Sequence, residues 1–318
     1  MSDILQIPSC GGVAGTFNSG IPLCDVLKGI PLGLIGLDAG VGFNAAQRAT
    51  VAAFMAEFTI KSRAARGSRA YPFWRLTNFE DKSKEPTRAA AGNLSNAEAI
   101  TIDGIPAFAF QHRIGEIFHN KLLSAQNSGC TWMIVDKNYV VYGTIDAGLF
   151  RGFTVSEFYV GLSKFATPSA FSIYPFEMTI SDQTEYKENG RFVQLSSSLV
   201  SVSGIRDVVL EQFSMVGSVL KVKLTALGGK NMTDLFATEL AQSAAWDVKD
   251  AVGAAVTVSA AFDSTNGVMS LTLSGVPWTG AATNDAFTAN LVSAAALKAL
   301  ASPIDGYEST GALAFTKP

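Results

Sequence analysis

The stretch Ser172–Gly190, "SIYPFEMTISDQTEYKENG", decides how the first two-thirds of this chain is read. Side chains alternate across a β-strand with period two, so Tyr174, Phe176, Met178 and Ile180 fall on one face, and Glu177, Thr179 and Ser181 on the other. The segment therefore predicts a long strand with one apolar and one polar face. Pro175, which cannot donate to a ladder, belongs at an edge, a strand end or a bulge. The charged run Asp182–Glu188 follows at once.

Upstream, "GFTVSEFYVGLSKF" reads as a second strand whose apolar phase starts at Phe153 and Val155 and resumes at Phe158, Val160 and Leu162. A phase jump within a strand signals a bulge or strong bend of the kind that curls a sheet. Before it, "CTWMIVD", a turn at Lys137-Asn138 and "YVVYGTI" predict a hairpin, and "AITIDGIPAFAF" one or two strands. A helix is expected from about Gln111 to Gln126, with Ile114, Phe118 and Leu122 as its apolar stripe. On that helix His112, Glu116 and His119 would share a half-exposed polar face; the spacing suits a metal, but an ordinary solvated face is the expected reading.

The segment "NAAQRATVAAFMAEFTIKSRAARG" predicts a helix with Asn44 as N-cap, Gly67 as terminator, and Val51, Phe54, Met55 and Phe58 on one side. The Gly- and Pro-rich stretch before it is expected to form turns, short strands and an extended arm. The polar stretch Glu80–Glu98 is read as a long loop, and such loops are usually interaction elements. A composition shift over Ser196–Gly204 divides the chain into 1–203 and 204–318. The second part shows short alternating strands separated by turns, including Asn266-Gly267, as in an immunoglobulin-like sandwich without the Cys-Trp-Cys core. "ATELAQSAAWDVKDA" is its one expected helix and "LVSAAAL" an expected strand. The fold class is thus mainly β (α+β): a β-sandwich or half-barrel with one flanking helix, plus a C-terminal Ig-like β-sandwich.

Composition narrows function. The 318 residues are 48% hydrophobic but only 16% charged, where a typical soluble domain is about a quarter charged. The low charge fits a surface of Ser, Thr, Ala and Gly, or one covered by further copies. The net charge of −3 argues against general binding to nucleic acid or anionic membranes. The local exception is "KSRAARGSR", with Lys61, Arg63, Arg66 and Arg69. Three cysteines without a C-x-x-C give neither a disulfide framework nor a zinc site. The first ten residues do not read as a secretory signal, and no apolar run reaches 18 residues, so no membrane span is expected. No G-x-S-x-G elbow is present, and Asp136, Asp146, Glu157 and Glu177 show no spacing that singles out a catalytic pair. No catalytic, cofactor-binding or metal site is expected, and the chain is read as non-enzymatic.

The order of elements, with "FQHRIGEIFHNKLLSAQ" as helix, "FYVGLSKFATPSAFSIYPFEMTISDQTEYKENGRFV" as long strands and "GYESTGALAF" near the end, resembles the tail tube proteins of bacteriophages and related contractile systems. The resemblance implies a virion structural protein, assembled in the host cytoplasm. Its long strands build rings, the rings stack through a loop and a terminal arm, and an outer Ig-like domain decorates the tube. It implies self-association, contacts with other virion proteins and transient, non-specific passage of DNA. Glu177, Thr179 and Ser181 would face the lumen, where an uncharged-to-acidic lining lets DNA slide. Lys61, Arg63, Arg66, Arg69, Glu80, Asp81 and Lys82 would be inter-subunit contacts. The alternatives are a capsid decoration or head–tail connector protein and, from another class, a carbohydrate-binding or glycoside-acting surface protein that uses Tyr71, Trp74 and Trp278.

Overall fold

A computed structural model describes residues 4–6, 28–90, 98–102, 104–126, 128–226 and 228–318. The chain is mainly β and divides into two compact units. The first holds residues up to Ser203 except Arg63–Ala65, which group with Gly204–Pro318 in the second.

In the first unit an eleven-stranded antiparallel sheet curls into a half-barrel. Its path runs through Leu5–Gln6, Gly190–Gln194, Val140–Asp146, Thr131–Asp136, Phe153–Val160, Tyr174–Ile180, Ala107–His112 and Leu76–Asp81. Every residue of Thr131–Asp136 is buried. Met133 and Val135 pack with Phe54 and Phe58 of the helix Val51–Lys61. Trp132 and Ile134 point the other way, into a cluster with Phe158, Phe176, Met178 and Ile180. One helix and the sheet's own far half thus cover the two faces of this strand.

The curl is made where the phase jump falls. Phe153 and Thr154 pair with Trp132 and Thr131, the register slips between Val155 and Glu157, and the rest of that strand pairs with Tyr174–Ile180. The bulge hands one strand from the first half of the sheet to the second. Phe176, Met178 and Ile180 are fully buried there.

Four expectations are corrected. The Gly-rich stretch does supply a strand, but Pro31–Leu37, "PLGLIGL", belongs to no arm: it is buried between Ala70–Trp74 and Thr131–Asp136. Its glycines serve close approach rather than turning: a Cβ on Gly33 would lie 2.2 Å from Trp74 Cε3, and one on Gly36 3.2 Å from the Trp132 ring. Most of the remaining Gly-rich stretch lies outside the described residues. The helix begins not at Asn44 but at Val51, because Thr50 caps it by accepting from the Ala53 N–H at 3.1 Å. Asn44 instead closes a separate turn with Gln47. The polar stretch Glu80–Glu98 is ladder rather than loop where it is described, and residues 91–97 of it lie outside the described residues. Leu76–Asp81 pairs with Ala107–His112, bonds from Lys82 and Lys84 continue the ladder, and Thr87–Ala90 pairs with Glu98–Ile102. Finally, the expected Gln111–Gln126 helix is only Glu116–Leu122 plus a 3-10 turn over Leu123–Ala125, and His112 ends a strand.

The second unit is a two-sheet sandwich. A six-stranded sheet contains Arg206–Val216, Val219–Ala226, Thr257–Asp263 and Val268–Ser274, and a three-stranded sheet contains Trp246–Asp250, Ala286–Leu291 and Leu313–Thr316. Leu220, Val222 and Leu271 of one meet Trp246, Phe287 and Phe315 of the other in a single core. The expected helix over 237–251 is confined to Ala237–Leu240. After a 3-10 turn the chain becomes the strand Trp246–Asp250, whose Trp246 Nε1–H donates to the Leu240 carbonyl at 2.8 Å. "LVSAAAL" is likewise not one strand: Leu291 ends a strand and Ala294–Lys298 is helical.

Phe176 has no exposed surface and meets Phe73, Phe110 and Phe158. Phe176→Ala is expected to cost about 3–5 kcal/mol through lost burial and the cavity left behind. Urea unfolding checks this; a loss under about 1 kcal/mol would mean that the site collapses freely.

Candidate assembly interface

Outside the half-barrel, the pleat turns a polar row to solvent. Glu157, Thr179 and Ala107 lie opposite one another, and in the next row Tyr159, Glu177, Ala109 and Glu80. Glu157, Tyr159 and Glu80 are exposed, while Glu177 and Thr179 are half-buried. Lys82 reaches back from the end of the edge strand Leu76–Asp81 and pairs with Glu177, Nζ to Oε1 at 2.5 Å. Two residues read separately, one for a lumen and one for a subunit contact, are therefore partners on one face. The bond to Glu177 raises the Lys82 ammonium above its ordinary range. Ser181 lies just beyond the strand, and its hydroxyl and N–H both donate to the Thr154 carbonyl. Asp81 is exposed on the edge strand.

The basic segment does not present a patch. Arg69 is buried: its N–H donates to Asp38 Oδ2 at 2.8 Å and its guanidinium lies 6.0 Å from the Tyr71 ring. As an inter-subunit contact, Arg69 is withdrawn by that burial. Lys61 pairs with Glu57 one helical turn back, and Arg63 donates to Asp305 at 2.6 Å. Arg66 is exposed in the turn that follows the helix.

The two histidines meet inside the fold. His112 and His119 are 1% and 3% exposed, with His112 Nε2 3.2 Å from His119 Nδ1. His119 Nε2 faces the Gly161 carbonyl at 2.8 Å, and a carbonyl only accepts, so Nε2 carries the proton. Its Nδ1 is then the acceptor for His112 Nε2–H, and His112 Nδ1 accepts from the Ile114 N–H at 3.3 Å. Their partners fix both neutral tautomers. Glu116 is not drawn in; it accepts from Ser163 instead. The half-exposed helical face expected of these residues is corrected accordingly. The helix is interrupted at Gly115, which adopts φ 122; a glycine inside the expected helix is the signal the sequence offers.

The carboxylates are dispersed among structural tasks. Asp136 is fully buried and accepts from the N–H groups of Gly29, Asn138 and Val140 and from the Tyr142 hydroxyl. Asp146 pairs with Arg151. Of the aromatics that suggested sugar binding, Trp74 and Trp278 are core residues, and Trp74 Nε1–H donates to the Val202 carbonyl at 2.7 Å. Tyr71 is half-buried, its phenol pushed up to about 12 by burial and by Asp38. That leaves no exposed aromatic platform among these three.

No protein-family model, no curated protein and no solved structure matches the chain. Among the described residues no helix is long and apolar enough to cross a membrane.

Burial, and then the neighbouring His119, hold His112 down at about 4, against an ordinary 6.5. The unfolded chain therefore binds this proton more readily than the folded one. The stability is fully present above about pH 6.5 and is lost as pH falls from there toward 4, by about 2 kcal/mol once solvent screening is discounted. His112→Ala is expected to cost about 2–4 kcal/mol at pH 7.5, by opening a cavity and leaving His119 Nδ1 without its donor. The gap between wild type and variant should then narrow between pH 6.5 and 4. Urea titrations across that range read both; a gap that does not change with pH would contradict the buried neutral pair.

Proposed function

We propose that this chain is a non-enzymatic virion structural subunit that self-assembles into stacked rings forming a phage tail tube for DNA passage. The observation that carries the proposal is the one-sidedness of the curled sheet. Its apolar face is used up in the subunit's own core, while four adjacent strands turn outward a face on which Glu80, Glu157, Glu177 and Thr179 alternate with Tyr159 and two alanines. Side by side in a ring, such faces make a wet wall that repels phosphate and so does not trap DNA. The low charge of the chain and the charged edge strand Leu76–Asp81 suit a subunit whose contacts lie with copies of itself and other virion proteins. Capsid decoration is the second reading, favoured if the polar face looks away from any channel.

Negative-stain microscopy of the purified chain is expected to show rings or tubes with a central channel; a monodisperse monomer at every salt and concentration would count decisively against the proposal. Glu177→Lys removes the Lys82 partner and reverses the charge, yet should leave the subunit folded because the site is on the surface. In a particle it replaces one negative by one positive charge per subunit on the lining and is expected to slow DNA exit, more so at low salt. Normal assembly with unchanged exit kinetics would move the face outside the tube.

A further inference from the structure

Between Val160 and Tyr174 the two central strands of the outward face continue past the sheet as a narrow ribbon. It is ordered by backbone bonds between Lys164 and Ile173 and between Thr167 and Ala170. Its base is held at three points: His119 Nε2–H donates to the Gly161 carbonyl, Ser163 donates to Glu116, and the Arg113 guanidinium sits 4.4 Å from the Phe171 ring. On this anchored ribbon Leu162 is 86% exposed, Phe165 96% and Phe171 70%. Next to Glu116, which holds the ribbon's base, Ile117 is also exposed. An ordered element displaying several large apolar side chains together marks an interaction site.

The pairing 164↔173 and 167↔170 sets the faces. Between these two pairs alternation puts Phe165 and Phe171 on opposite faces of the ribbon, so both faces need a cover. The tip itself, Thr167-Pro168-Ser169, is polar and small. A bilayer would receive the tip first, so apolar shoulders behind a polar tip suit a protein cleft better than lipid. No acid occurs between Glu157 and Glu177, and the ribbon's charge is Lys164, with Arg113 at the base. The chain as a whole carries a net charge of −3, so another copy of it offers charge complementary to this basic ribbon.

We infer that the 161–173 ribbon is a docking arm that inserts between neighbouring copies of this chain, burying Leu162, Phe165 and Phe171. The inference rests on the self-assembly reading and names one contact within it. Two phenylalanines and a leucine supply roughly 400–600 Å², short of the ~800 Å² per partner of a standard interface. A lone pair of subunits would hold weakly through this arm; a ring or stack, in which every copy gives one arm and receives another, multiplies it.

The test compares the full-length chain with Leu162→Ser/Phe165→Ser. Both side chains are solvent-exposed, so thermal unfolding of the isolated subunit should be unchanged. Light scattering and sedimentation are expected to show the wild type assembling and the variant remaining a subunit until about tenfold higher concentration, the scale of a hot-spot loss. If the wild type assembles and the variant assembles equally well, the docking arm is wrong and self-assembly stands. If the wild type never assembles, both readings fall. Co-flotation of the wild type, but not the variant, with phosphatidylcholine or phosphatidylcholine/phosphatidylserine vesicles would overturn the arm in favour of a lipid contact.

Discussion

An aromatic ladder runs through the first unit and ties the two halves of its sheet together. Trp132 stacks on Phe158 at 4.6 Å, Phe158 lies 5.6 Å from Phe176, Phe176 stacks on Phe110 at 5.1 Å, and Phe110 meets Phe79 at 5.5 Å. Each rung contributes about 0.5–1.5 kcal/mol beyond its burial. The ladder also bridges the bulge. Three rungs are cross-strand neighbours, whereas Trp132, whose ladder partner is Phe153, meets Phe158 on the far side of the bulge between Val155 and Glu157. Gly33 and Gly36 give up their side chains so that Trp74 and Trp132 fit against the backbone behind it.

This interior sends every polar residue of Tyr174–Ile180 outward. The strand cannot slip by one residue without burying Glu177 and exposing Phe176 and Met178. The outward face and the 161–173 ribbon that extends from it are therefore positioned by the core rather than by loops. That is what an assembling subunit requires: surfaces stiff enough to meet a neighbour without paying much ordering entropy.

The sequence made the period-two signals legible. The phase of Phe176, Met178 and Ile180, the bulge after Val155 and the hairpin at Lys137-Asn138 all follow from alternation, which depends on which side of a sheet is buried. What it obscured were places where tertiary packing overrides local preference. "PLGLIGL" carries glycines that normally punctuate turns, yet they sit in a central strand because two tryptophans need the room. Glu80–Lys84 and Thr87–Arg88 look like loop because most of their side chains are exposed, which removes the alternation. "WDVKD" followed an Ala-rich run and took on its helical reading. His112 and His119 looked solvated because nothing local announces that two imidazoles satisfy each other. The 161–173 arm was absorbed into the long strands, since its bare apolar residues continue their pattern.

The polar and apolar faces of Tyr174–Ile180 are the point on which the account turns, and thiol labelling reads them directly. In a chain whose native cysteines are replaced by serine, Thr179→Cys and Met178→Cys place a single thiol on either side of the sheet. The account predicts that Thr179→Cys reacts rapidly with a small thiol reagent in the folded subunit, and still reacts in any assembled tube, because a lumen stays wet. Met178→Cys should react only as fast as the unit unfolds. Rapid reaction at position 178 with protection at 179 would exchange the two faces and remove the basis for a lumen-lining sheet.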